Sequence, residues 1–299
     1  RIMKTYVGVD LGGTHVRVGK VTADGEMLYV EKRPSYAKEG TEKVINNIIE
    51  MIENVPGLEE CSGIGIGVPG PCDVANGCMK LSTNLPGFTD FPFAKTIADH
   101  FHMPAYIDND ANVAGLAEAL VGAGKGLGVV YYTTISTGIG GALVVDGKVV
   151  SGKNGYAGEI ANIVIDRNIP KFNHLNAGAV ENEASCTAIV RKANEVKPEL
   201  GIAHAGQVFA SEDPDIKKIV EGEVENLALL YSIIAHVCNP HAFVFGGGIM
   251  KSRDLFMPQL EARFKELVHE GMRDTLFLDA ALDEPGVIGA AMLPLSQGH

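Results

Sequence analysis

Positive charge is what this chain has least of. Over 299 residues, 25 Lys and Arg stand against 37 Asp and Glu, for a formal net charge of −12. A nucleic-acid surface needs clustered Lys and Arg to release counterions, so the balance argues against DNA or RNA as a partner. Phosphate ligands stay open, because backbone N–H groups and Mg²⁺ can hold them without a basic patch. The five cysteines (Cys61, Cys72, Cys78, Cys186, Cys238) are odd in number, scattered and free of any Cys-x-x-Cys pair. That speaks against a disulfide framework and against a cysteine zinc site, and for reduced thiols in a cytoplasmic protein. The apolar run Leu227–Val237 falls well short of the roughly 20 residues that span a bilayer, so it reads as a buried helix and no membrane partner is expected. Signal-peptide and low-complexity patterns are missing, and Arg1 and Ile2 ahead of Met3 are set aside as extraneous.

Against these absences stands a repeated unit. Asp10-Leu-Gly-Gly-Thr14 follows the β-branched run Tyr6–Val9, and Ser136-Thr-Gly-Ile-Gly-Gly141 follows Val129–Ile135. Each turn leads into a second strand, His15–Val21 or Ala142–Val145, and then into an Asp-Gly pair, Asp24-Gly25 or Asp146-Gly147. Asp-Gly between apolar strands is a strong hairpin signal. Two strand–glycine turn–strand–hairpin units imply two related half-domains that grip one polyanion. Neither turn is a Walker A loop, since no Gly-Lys-Ser/Thr follows, and neither opens a helix as a dinucleotide fingerprint does.

Elsewhere, Val44, Ile45, Ile48, Ile49 and Ile52 recur at helical spacing, and Ser62–Gly70 alternates glycine with apolar residues as a buried strand. Strand 105–108 and a helix over 111–122 opened by Asp110 complete the first third, which reads β-β-β-α-β-α-β-α. Helices are expected over 181–196, 215–238 and 258–270, a strand at 241–245, and a small-residue helix from Pro285. The whole is an α/β fold of duplicated, hairpin-containing mixed sheets with flanking helices. Two lobes are expected, 3–116 and 117–285, with a helix over 286–299 packing back on the first and the active site in the cleft between them. The glycine cluster at 122–128 would be the hinge.

Chemistry concentrates at a few places. Glycine pairs let backbone N–H groups face a phosphate, Thr14 adds a hydroxyl, and Asp10 could hold Mg²⁺ through water. A single such turn is equally explained by hairpin geometry alone; repetition at Thr137 and Gly138 favours a ligand. Asp108-Asn-Asp110 sits at a strand end, where ligands gather in open α/β sheets. Asp110 could be a helix cap, or a base that accepts a substrate hydroxyl proton. Asn84, Glu159 and Glu181 could line a polyol site, and Gly246-Gly-Gly248 permits close approach of a flat group or merely close helix packing.

The set Asp10–Thr14, Gly67-Val-Pro-Gly70, Asn109-Asp-Ala-Asn112, Thr137–Gly141, Gly158-Glu159 and Gly246-Gly-Gly-Ile249 resembles the ROK family (repressors, open reading frames, kinases), in order and across nearly the whole chain. The resemblance implies a two-lobed actin-like ATPase (ribonuclease H-like) fold, ATP with Mg²⁺, a sugar substrate and a homodimer. It makes Asp110 the general base and gives Gly70, Asn84, Asn109, Asp110, Glu159, Asn162 and Glu181 to the sugar. Asp10, Gly12, Gly13, Thr14, Thr137 and Gly138 would hold phosphates, with Gly246, Gly247 and Gly248 near adenine. One departure matters. The family's usual zinc site uses a His and three Cys, whereas here Asn162 stands at the His position and 173–181 carries no cysteine. Zinc is therefore expected to be absent.

These observations point to an ATP-dependent hexose kinase of the glucokinase type, converting glucose to glucose 6-phosphate. N-acetylmannosamine and fructose are the competing substrates. A sugar-responsive repressor is disfavoured, for no helix-turn-helix precedes the first strand, and an actin-like filament or chaperone ATPase would leave the Asn-Asp pair without a purpose.

Overall fold

The computed structural model describes residues 3–299; Arg1 and Ile2, set aside above, lie outside the described residues. The chain divides into two compact units. One takes the residues up to Gly128 together with Ala142–Gly158 and Ala281–His299; the other takes Val129–Gly141 and Glu159–Ala280.

In the first unit, β1 (Thr5–Leu11) folds back on β2 (His15–Thr22) at the first glycine turn. β2 then folds back on β3 (Met27–Pro34) at Asp24-Gly25. The antiparallel register sets Asp10 opposite Arg17, and Arg17 opposite Lys32. Helix α1 (Thr41–Glu53) turns Val44, Ile45, Ile48 and Ile52 into the core, as their spacing predicts, together with Met51, while Ile49 is only half-buried. β4 (Cys61–Val68) pairs parallel with β1, and a small ribbon of β5 (Cys72–Asp73) and β6 (Cys78–Met79) follows. After α2 (Phe93–Phe101), β7 (Ala105–Asn109) pairs parallel with β4 and leads straight into α3 (Asp110–Val121). The sheet order is β3-β2-β1-β4-β7.

The second sheet begins with β8 (Val129–Ile135), β9 (Ile139–Val145) and β10 (Lys148–Val149). Asp146 and Gly147 both have positive φ, 49° and 75°, the signature of a type I′ hairpin turn between β9 and β10. Then come α4 (Val180–Ala184), α5 (Cys186–Val196), α6 (Ala205–Ala210) and α7 (Pro214–Cys238). β11 (Ala242–Gly246), α8 (Met257–Leu267) and β12 (Leu276–Asp279) complete the order β10-β9-β8-β11-β12. The final helix, α9 (Pro285–Ser296), belongs to the first unit.

The two cores differ in kind. β1, β4 and α1 bury mainly Val and Ile, whereas Tyr231, Phe243, Phe245, Phe264 and Phe277 form a ring cluster around β11 with centroids as close as 4.9 Å. Glycine explains how α9 lies on the first sheet. A Cβ at Gly65 would stand 1.6 Å from Ala290 O, and one at Gly8 would stand 2.1 Å from Val287 O. Backbone meets backbone there, and no side chain would fit between them.

Several expectations change. The single helix over 181–196 is two, because Ser185 takes an extended conformation and its hydroxyl accepts the Ala188 N–H at 3.1 Å, capping α5. α3 is capped by Asn109 instead of Asp110, which is its first helical residue. It also runs unbroken through residue 116, and the units part after Gly128. β12 and α6 were not anticipated; both are short, and β12 is half-exposed, so neither carries a clear period. The run Leu227–Val237 does lie within α7 and is mostly buried as far as Ala235, but its end is not: His236 and Val237 are exposed. All five cysteines are free thiols, and among the described residues no helix is long and apolar enough to cross a membrane.

Candidate active site

The first glycine turn closes with Gly12 N–H donating to His15 O at 2.9 Å. Here a Cβ on Gly13 would come within 3.3 Å of Asn84, so the loop carrying Asn84 packs against the turn. Arg17 Nη2 lies 2.7 Å from Asp10 Oδ2, and Arg17 Nη1 lies 2.9 Å from Glu284 Oε1 at the start of α9. Asp10 is thereby fixed at the mouth of a polar cavity of about 470 Å³ lined by Asp10, Gly12, Gly13, Thr14, His15, Arg17 and Lys32. Among the described residues no group of three or more His, Cys, Asp or Glu is placed to hold a metal ion. A lone carboxylate beside phosphate-type N–H groups suits Mg²⁺, which keeps most of its water and takes one or two carboxylates with substrate phosphates.

Two strands away, β7 ends in the polar cluster. Asp108 is 2% exposed, and its Oδ1 accepts from Asn109 N–H at 2.7 Å and Asn112 Nδ2 at 2.8 Å. Asn109 Oδ1 accepts the Asn112 N–H at 2.8 Å, which closes the start of α3. Asp110 faces solvent and accepts the Ala111 N–H at 2.8 Å. The protein packed around it, and secondarily the charge of Asp10, hold its carboxyl above the ordinary Asp range against the lowering effect of that N–H. A carboxylate of raised pKa is a better proton acceptor at neutral pH. Gly70, with φ of 93°, turns the chain after β4, where a Cβ would stand 2.7 Å from Leu81 O.

In the second unit, Ser136 N–H donates to Gly138 O at 2.9 Å and closes the other turn. Glu181, on α4, reaches it: its Oε2 accepts the Ile139 N–H at 2.9 Å and lies 2.8 Å from where a Gly138 Cβ would be. Cys186 N–H donates to Ser136 O at 2.9 Å, so the start of α5 also holds the turn. A cavity of about 720 Å³ opens beside it, with Ser136, Thr137, Cys186, His204, Gly248 and Lys251 in its wall. Gly248 meets open space, whereas a Cβ on Gly247 (φ 90°) would stand 2.3 Å from Ile135 O and one on Gly246 2.8 Å from Tyr132 Oη.

Thus Thr137, Gly138, Glu181 and the Gly246–Gly248 turn come together, as do Asp10, Gly12, Gly13, Thr14 and Asn84. Glu159 and Asn162 stand apart from the cavity wall and are exposed. Asn162 Oδ1 accepts the Asn176 N–H at 2.6 Å, and Asn173 and Asn182 exchange amide bonds at 3.0 and 2.9 Å, so carboxamides tie together this irregular stretch. Sequence reading missed Arg17, Lys32, His204 and Lys251. Hairpin counting from Gly12 and Gly13 would have found Arg17 opposite Asp10. Nothing local marks His204 or Lys251, which reach the cavity from the N-cap of α6 and from the 3₁₀ segment Gly248–Leu255.

Mixed hairpin-led sheets, each carrying a glycine turn, define an α/β protein of the actin-like ATPase fold. The ROK family model matches residues 6–297, and the chain belongs to that family. A glucokinase of Thermotoga maritima is 30% identical over 307 residues, covering 96% of this chain and 96% of that one. An N-acetyl-D-glucosamine kinase of Vibrio cholerae is 28% identical over 308 residues, covering 96% and 99%. Among solved structures, a ROK hexokinase from Thermus thermophilus matches with a TM-score of 0.85 at 28% identity, over 98% of this chain and 100% of that one.

Proposed function

We propose that this chain is an ATP-dependent sugar kinase that phosphorylates the primary hydroxyl of a hexose, with glucose the first candidate. The observation that carries the reading is Asp110: a solvent-facing carboxylate of raised pKa, fixed at a strand-to-helix junction beside Asn109 and electrostatically coupled to Asp10 at the glycine turn. Asp110 accepts the hydroxyl proton as the sugar oxygen bonds to the γ-phosphorus, and the bridging oxygen leaves with ADP.

Phosphates are assigned to the Asp10–Thr14 and Thr137–Gly138 turns, and the nucleoside to the 720 Å³ cavity beside Gly248. Asp10 would hold Mg²⁺ through water, and that ion, when bound, neutralises phosphate charge. Gly70, Asn84 and Asn109 in the first unit, and Glu159, Asn162 and Glu181 in the second, are assigned to sugar hydroxyls. The similarity to the Thermotoga maritima glucokinase supports glucose, and that to the Vibrio cholerae enzyme makes N-acetylglucosamine a competitor beside N-acetylmannosamine and fructose.

ADP release coupled to a reporter reaction, run over hexoses and N-acetylhexosamines, tests this. Sugar-dependent release is expected, and its loss by about 10³-fold in Asp110→Asn. No sugar dependence across the panel would sink the kinase reading; parental turnover in Asp110→Asn would sink the base.

A further inference from the structure

The Asp10 turn and the Asp110 base leave one member of the polar cluster without a role. Asp108 points its carboxylate into the protein at the end of β7, 2% exposed. Carboxylates are almost never fully buried unless paired, and among the described residues no cation forms an ion pair with this one. Its Oδ1 instead takes two donors that belong to the next turn: the Asn109 N–H and the Asn112 side-chain amide. Asn112, itself 1% exposed, sends its own N–H back to Asn109 Oδ1. One buried oxygen therefore anchors both ends of the segment 109–112, and Asp110 lies inside that loop of hydrogen bonds.

We propose that Asp108 is a positioning residue for phosphoryl transfer, its buried carboxylate fixing the strand-to-helix turn from which Asp110 and Asn109 act. The assignment rests on the kinase reading above. A helix start capped by Asn109 alone would fold without Asp108, since the cap supplies the first hydrogen bond. The second anchor adds precision: a base displaced by about 1 Å costs on the order of 100-fold in rate. Gly67 of β4 is the register neighbour of Asp108, and Cys72 of β5 is the titratable group whose environment includes it. Burial pushes the Cys72 thiol far above its ordinary value, so it stays protonated and adds no charge there.

The test compares Asp108→Ala, Asp108→Asn and Asn112→Ala with the parent chain, on the sugar found active in the panel. kcat is expressed per ATP site, titrated with a non-hydrolysable ATP analogue. Asp108→Ala is expected to lose about 100-fold in kcat with the KM for ATP unchanged. Asp108→Asn keeps an oxygen acceptor for both donors and is expected to recover most of that loss, to within about fivefold of the parent. Should Asp108→Ala fail to fold, Asn112→Ala decides: a drop in kcat at unchanged ATP KM supports the proposal, and parental kcat overturns it. A folded Asp108→Ala with parental kcat, or an Asp108→Asn as impaired as Asp108→Ala, also overturns it. Parental turnover in Asp110→Asn instead refutes the base, and with it the reading on which this rests.

Discussion

The two glycine turns look alike in sequence and are built differently. At the Asp10 turn the fixed charge is part of the strand itself, held by Arg17 and, through Arg17, by Glu284. The Ser136 turn carries no acid of its own; its carboxylate arrives from α4, when Glu181 accepts the Ile139 N–H. One turn opens on a polar cavity of about 470 Å³, the other on a cavity of about 720 Å³ that includes Ala205, Ala210 and Leu255. Ion-and-phosphate chemistry suits the first, and a nucleoside suits the second. A duplicated backbone motif therefore need not mean duplicated chemistry, because the side chains that meet it come from unrelated segments.

The sharpest way to break this contrast is a methyl group on each side. Gly247→Ala forces a Cβ to 2.3 Å from Ile135 O at a φ of 90°, and the variant should lose ATP binding and several kcal/mol of stability, on the order of 3 or more. Gly12→Ala meets nothing closer than His15 O at 3.4 Å and should fold normally. Calorimetric ATP titration with thermal melts of both variants reads the difference; equal damage would remove the asymmetry.

Next comes Asp108, the buried acid of the polar cluster at the end of β7. Burial raises the Asp108 pKa from 3.8 to about 6, despite the lowering effect of its two hydrogen bonds. The native state then holds this proton more tightly than the unfolded chain, so the group's contribution is full below pH 4 and is lost as pH rises through about 6. Asp108→Asn does not ionise. Relative to the parent it should gain up to about 3 kcal/mol of stability at pH 8, shrinking to little by pH 4, in urea melts across that range. A pH-independent difference would contradict the sign.

Smaller effects follow. Arg17→Lys cannot bridge Asp10 and Glu284 with one planar fork, so the Mg²⁺ concentration for half-maximal activity should shift by about threefold to tenfold, with ATP affinity in the second unit little changed. Ser185→Ala removes the α5 cap behind the Ser136 turn and should cost about 1 kcal/mol in denaturant melts.

Local signals carried much of this molecule. Alternation, Asp-Gly turns and the Val44–Ile52 spacing announced β1 to β3, α1 and the β9–β10 hairpin, because each is a period or a turn written within a few residues. Asp10, Asp110 and the glycine turns were visible for the same reason. Ser185 and Asn109 were not read as caps, since whether a polar residue caps or continues a helix depends on where its side chain can turn.

What the sequence determined alone, then, is the strand-and-turn grammar and the place of the acidic groups at strand ends. Only the tertiary structure decided that α9 lies backbone to backbone on β1 and β4 across Gly8 and Gly65, that Arg17 bridges Asp10 and Glu284, and that Asp108 turns inward while Asp110 turns out. Those are contacts between distant segments, fixed by packing and by the demand that buried polar groups find partners, and no local pattern encodes them.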